Sequence, residues 1–116
     1  MPIFEISTNV PKTSIPDKFI TELSSLVAQL RGKPETYVCI NVNAGQNMTF
    51  GGTPEPCAFC QLLSVAKIGP EENKVSTTAL MEKIHKDLHI APDRMYINFV
   101  DLARSNVGWN MKTFAG

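Results

Sequence analysis

The residues with the most chemical promise open the chain: Met1 followed by Pro2. Aminopeptidases remove an initiator methionine that precedes a small residue, which leaves Pro2 as a secondary amine. An α-amino group titrates near ~7.7–8.0, so roughly a fifth of it is neutral near pH 7.4. Apolar burial that lowers this value by about two units makes nearly all of it a base. The gain is only about fivefold, so any larger rate effect must come from orientation and from stabilising an oxyanion. A retained Met1 would turn the same nitrogen into a tertiary amide with no basic lone pair. The plainer reading of Pro2 is that it starts a strand.

Cys57-Ala58-Phe59-Cys60 is a C-x-x-C motif, a spacing that serves redox chemistry when a helix N-terminus or a cation lowers the thiolate pKa. Here it leads into an apolar segment, so Cys57 and Cys60 are weak redox candidates. With Cys39, His85 and His89 they give no zinc-ligand spacing, and no metal site is expected. The two histidines, four apart on a mixed-charge helix, read as solvated. Lys33 follows Gly32 at a helix end, where a cation is favoured by the helix dipole.

The elements that must position these groups are legible in the apolar pattern. Phe4 and Ile6 alternate with Ile3, Glu5 and Ser7, which predicts a strand from almost the first residue. Ser14 and Pro16-Asp17 read as a helix start, and Phe19, Leu23, Val27 and Leu30, with Leu26 beside them, form its apolar stripe. Gly32 and Lys33-Pro34 end it. TYVCINV, residues 36–42, reads as a buried strand, the NAGQN that follows as a turn, and MTF before Gly51-Gly52 as a short strand.

The second half repeats the order. FCQLLSVAKI is strand-like, Pro70-Glu71-Glu72 opens a helix with Ala79, Leu80, Ile84 and Leu88 on its apolar face, and RMYINFV, residues 94–100, answers as a strand. Ile40-Asn41 overlays Ile97-Asn98 at a displacement of 57, close to half of the 116 residues. The chain reads as a single α+β domain, 1–116: two β-α-β repeats forming a four-stranded sheet with two helices on one face, plus short strands. The other face, expected to be rich in Val, Ile and Phe, exceeds what MTF and NVGWN (106–110) can cover. A closed homo-oligomer would cover it and occupy the sheet edges.

Composition excludes several classes. The 11 basic and 11 acidic side chains cancel, and no run of more than two basic residues occurs. Nucleic-acid binding and polybasic membrane attachment both need a local excess of Lys and Arg. No stretch approaches the roughly 18 apolar residues of a spanning helix, and no secretory signal precedes the first strand, so a cytoplasmic chain is expected. Three cysteines without a leader read as reduced thiols.

MPIF at the start, GKPETYV, MTFGGTPEPCAFC, RMYINF and NVGWN together resemble the macrophage migration inhibitory factor family of the tautomerase superfamily, over nearly the whole chain. The resemblance implies a homotrimer and a cofactor-free keto-enol tautomerase acting on phenylpyruvate and dopachrome-like compounds. It also implies a cytokine secreted by a leaderless route, with a cell-surface receptor as partner. Carried residue by residue, it makes Pro2 the catalytic base and Lys33 the ligand of the substrate carboxylate. Val65 then contacts substrate through its backbone, and Asn98 donates across a subunit boundary. Tyr96, Val107, Trp109 and Phe114 become the pocket wall, and Cys57-Cys60 an alternative thiol-protein oxidoreductase motif. The chain departs from the usual family pattern at several positions. Ala66 stands where glycine is usual, Asn41 replaces a frequent histidine, and Phe99-Val100 replaces a more aromatic pair. Lys12 and Gly45 stand where arginine and aspartate are common, which weakens the cytokine expectation.

Overall fold

The computed structural model describes residues 1–116. Strand β1 (Pro2–Thr8) leads through a 3-10 turn (Lys12–Ser14) to helix α1 (Phe19–Arg31), and then, through a second 3-10 turn (Glu35–Tyr37), to β2 (Cys39–Asn43). Strand β3 (Ala58–Ser64), helix α2 (Pro70–Leu88) and strand β4 (Met95–Asp101) repeat the order, and a hairpin of β5 (Gly108–Trp109) and β6 (Lys112–Thr113) closes the chain. The sheet order is β2-β1-β3-β4. β1 and β2 run parallel, as do β3 and β4, and the two units join through the antiparallel pair β1/β3. This is the expected α+β arrangement.

The core is what the helical stripes and strand alternation require. Phe4 and Ile6 of β1, Ala58, Cys60 and Leu62 of β3, and Met95 of β4 meet Phe19, Leu23 and Val27 of α1 and Leu80, Ile84 and Leu88 of α2. Leu26 and Leu30 pack only partly at its rim. Full burial of side chains of this size contributes roughly 1.5–3 kcal/mol each, enough to fix the sheet against both helices.

Helix ends are set by local chemistry. Pro70 occupies the first position of α2, where its missing N–H costs nothing. Gly32, at φ 59°, ends α1 in the left-handed region. Its N–H donates to Gln29 O at 3.2 Å while Lys33 N–H donates to Ala28 O at 3.1 Å, the paired bonds of a glycine-terminated helix.

Several sequence expectations are corrected. Helix α1 begins at Phe19 rather than at Ser14 or Pro16, because Ser14 closes the preceding 3-10 turn. Thr36 and Tyr37 belong to the turn after Pro34, so the second strand starts at Cys39. MTF forms no strand. Phe50 and Thr53 bridge across Gly51 and Gly52 at φ 59° and 81°, a two-residue turn that only glycine adopts without strain. Arg94 fastens this loop by donating to the carbonyls of Pro56, Phe50, Thr53 and Glu55. The strand read through LLSVAKI stops at Ser64, because Ala66 and Lys67 turn the chain at φ 68° and 60°.

The open face of the sheet differs most from expectation. Register places Phe4, Ile6, Ile40, Val42, Ile97 and Phe99 on the helix side. The open side carries one polar row across all four strands: Asn41, Glu5, Gln61 and Asn98. Asn41 donates to Glu5 Oε2 at 3.2 Å within it. Apolar side chains remain on both sides of that row, Ile3, Leu63 and Val100 on one and Phe59 and Tyr96 on the other.

Candidate active site at the amino terminus

Pro2, the first residue of β1, pairs with Ser64 of β3 and is buried. Met1 lies just outside the sheet, and its carbonyl accepts a hydrogen bond from Val65 N–H at 3.3 Å. Val65 is the first residue beyond β3, where the left-handed turn at Ala66 aims its backbone at the amino terminus. An alanine held there costs about 1–2 kcal/mol relative to glycine, partly offset by the unfolded-state freedom of glycine. Ala66→Gly is expected to stabilise the chain by about 0.5–1 kcal/mol and raise its Tm by about 3–6 °C in a thermal melt. An unchanged or lower Tm would refute the strain.

Arg31 holds the same turn from beneath. Only 1% exposed, its guanidinium donates to Lys67 O and Ser76 Oγ, tying the end of α1 to the turn and to α2. Burial lowers its pKa from the ordinary value, and Glu72 opposes that shift. Arg31 Nε and Ser64 Oγ are the two buried side-chain polar atoms without a hydrogen-bond partner in the chain.

Two adjoining clefts share Met1, Tyr37 and Phe114. The first, of about 270 Å³, is completed by Lys33, Pro34, Val65 and Arg104. The second, of about 300 Å³, adds Ile3, Val38, Cys39, Val107 and Trp109. Their shared wall is an aromatic cluster. Tyr37 meets Trp109 edge-on at 5.2 Å and Phe114 at 6.1 Å, and Trp109 stacks on Phe114 at 6.0 Å. The C-terminal hairpin presents Trp109, and Phe114 is fastened by its N–H to Val107 O at 3.1 Å. The amine of Met1 is lowered from its ordinary value by burial and, secondly, by the positive charge of Lys33.

The chain therefore gathers Lys33, Val65, Val107, Trp109 and Phe114 around its amino terminus, with Pro2 buried beneath. It does not bring Tyr96 and Asn98 there. Pro2 is level with Ser64 and Asp101 in the sheet, whereas Tyr96 is level with Phe59, about 16 Å further along the strands. Both side chains are exposed on the open face, and Tyr96 packs on Phe50 at 4.9 Å.

Cys57 and Cys60 are fully buried, and burial pushes the Cys60 thiol up to about 12. That thiol is neutral at pH 7, which opposes the oxidoreductase reading. No three His, Cys, Asp or Glu side chains converge as a metal site would need, and no helix is long and apolar enough to cross a membrane.

Tyr37 and Arg104 are the site residues that sequence reasoning missed. Pro34 at the start of a short turn was the available signal for Tyr37. Nothing local marks Arg104, whose place depends on the fold of the C-terminal segment.

The family model for macrophage migration inhibitory factor (MIF) matches residues 1–115. The chain belongs to the MIF family. It is 47% identical to macrophage migration inhibitory factor of Rattus norvegicus over 115 residues, which is 99% of this chain and all of that protein. It is equally similar, 47% over 114 residues, to the homolog of Trichuris trichiura, covering 98% of this chain and all of that one. The solved MIF structure from Trichinella spiralis superposes with a TM-score of 0.94 at 38% identity, covering 97% of this chain and 99% of that one. MIF proteins form part of the tautomerase superfamily, which supports an isomerase activity in general terms.

Proposed function

We propose that the protein is a keto-enol tautomerase of the phenylpyruvate or dopachrome type, with Pro2 as its general base once Met1 is removed. The observation that carries this reading is the cleft itself. The amino terminus, the cations Lys33 and Arg104 and an aromatic wall converge in it, and burial and Lys33 lower the Met1 amine there from its ordinary value.

The roles follow from placement. Lys33 holds the substrate carboxylate as a point charge on a flexible stem, its backbone fixed by the helix end. Tyr37, Trp109 and Phe114 hold the ring and exclude water. Pro2 moves a proton between the α-carbon and the enol oxygen, and no cofactor is required. The site is completed in a homotrimer, where Tyr96 and Asn98 of a neighbouring copy meet the cleft. As a MIF-family protein it also acts as a cytokine, present in the cytoplasm and released by a leaderless route to a cell-surface receptor. That role uses the outer surface and is separable from the cleft.

The test is the pH dependence of phenylpyruvate enolisation, followed by absorbance, on protein whose start at Pro2 is verified by mass. If the Pro2 amine meets the same burial and Lys33 charge that lower the Met1 amine, activity rises with pH through a midpoint below the ordinary ~7.7–8.0. Lys33→Met removes the repulsion, so the midpoint should move upward while KM rises. A midpoint at or above 8 in the wild type would reject the burial argument, and absence of turnover would reject the tautomerase.

A further inference from the structure

Two side-chain cations line the cleft at the amino terminus, Lys33 and Arg104, and no Asp or Glu lines it with them. Neither cation is in an ion pair, since the salt bridges of the chain are Lys74–Glu71, Lys83–Glu22 and Lys83–Asp87. This is a local excess of positive charge in a chain whose 11 basic and 11 acidic residues cancel. Such an excess without counter-charges favours an anionic ligand.

Arg104 is also held in place. Its Nη2 donates to the carbonyl of Phe114 at 2.7 Å, and the 3-10 turn that carries it is closed by Asn106 N–H to Ala103 O at 2.9 Å. That bond uses one N–H of Nη2 and leaves one edge of the guanidinium, with two parallel N–H groups, free for a planar acceptor. A keto acid with one carboxylate satisfies Lys33 alone. The guanidinium fork beside it matches the geometry of a second carboxylate or similar oxyanion.

We propose that this cleft is built for a dianionic keto acid, with one carboxylate on Lys33, a second acidic group on Arg104, and the segment between them against Tyr37 and Phe114. The keto acid part rests on the tautomerase reading, whereas the preference for two negative charges rests on the cleft alone. Arg104 is then the residue that sets substrate class.

Calorimetric titration with two inert probes, phenylacetate and 4-carboxyphenylacetate, tests the charge preference on protein beginning at Pro2, at low ionic strength. The dianion should bind about tenfold more tightly than the monoanion. Arg104→Gln should collapse that ratio to about twofold or less, and Arg104→Lys should restore part of it. Equal affinities in the wild type, or a ratio unchanged by Arg104→Gln, overturn the proposal.

Enolisation of phenylpyruvate and 4-carboxyphenylpyruvate separates the two readings. The kcat/KM ratio should follow the binding ratio, with KM carrying the difference. A dianion preference in binding without turnover of either keto acid removes the tautomerase and leaves the two-cation site standing. Turnover of both at equal kcat/KM with no binding preference removes the site and leaves the tautomerase standing.

Discussion

Placing a single residue before Pro2 will lower kcat/KM for phenylpyruvate by about 10²–10⁴-fold, the range expected for loss of a positioned general base. The added peptide bond consumes the lone pair of the Pro2 nitrogen, yet it leaves the fold intact, because the structure already accommodates Met1 beside β3. Pro2→Gly should also lose activity. Its primary amine can still accept a proton, but the rigid ring that orients the nitrogen at the start of β1 is gone. Mass spectrometry must establish the first residue of every sample. Full turnover in a chain verified to retain Met1 would exclude Pro2 as the base. The same inactive, folded variant, applied to a receptor-dependent cell assay, separates the signalling role from the chemical one.

The second large effect concerns assembly. Phe59 and Tyr96 are 43% and 67% exposed on the open face of the sheet, next to Phe50. This aromatic patch lies at the end of the strands opposite the clefts, so a head-to-tail contact would set the patch of one copy against the cleft of the next. Repeated around a three-fold axis, such a contact closes. Phe59→Asp should convert a particle of three 12.8 kDa chains into single chains in analytical ultracentrifugation. Turnover should fall at least tenfold with it if, as proposed, Tyr96 and Asn98 complete the cleft of a neighbouring copy. Val75→Asp, at a helix residue 63% exposed, is the control and should leave the mass unchanged. A wild type that sediments as one chain, or a Phe59→Asp trimer of full activity, would refute this arrangement.

Much of the fold was readable because local and global signals agree. Pro70 and Gly32 sit where a helix begins and where one ends, and the stripes of Phe19, Leu23 and Val27 and of Leu80, Ile84 and Leu88 face the sheet. The misreadings have different causes: a 3-10 turn at Ser14, the turn after Pro34, the glycine turn at Gly51-Gly52 and the left-handed turn at Ala66. Ala66, Lys67, His89, Asn110 and Met111 all adopt positive φ without being glycine, so the turns they make carry no compositional mark. The candidate site divides similarly. Lys33, Val65, Val107, Trp109 and Phe114 were found through whole-chain family resemblance, and their convergence is a consequence of topology that no spacing reveals. Tyr96 and Asn98 are far from them within one chain because β3 lies between β4 and β1 in the sheet and the relevant ends are opposed. The open face was misjudged because Val, Ile and Phe were counted without knowing the register that turns most of them toward the helices.

The hydrogen bond from Val65 N–H to Met1 O ties Met1 to the cleft, so on the proposed mechanism Met1 would behave as a one-residue propeptide. While attached, it masks the lone pair of Pro2 and occupies the backbone donor that faces the cleft. On that mechanism a single cleavage would unmask the nitrogen and vacate that donor in the same event, so aminopeptidase trimming would mature the whole cleft and not its base alone.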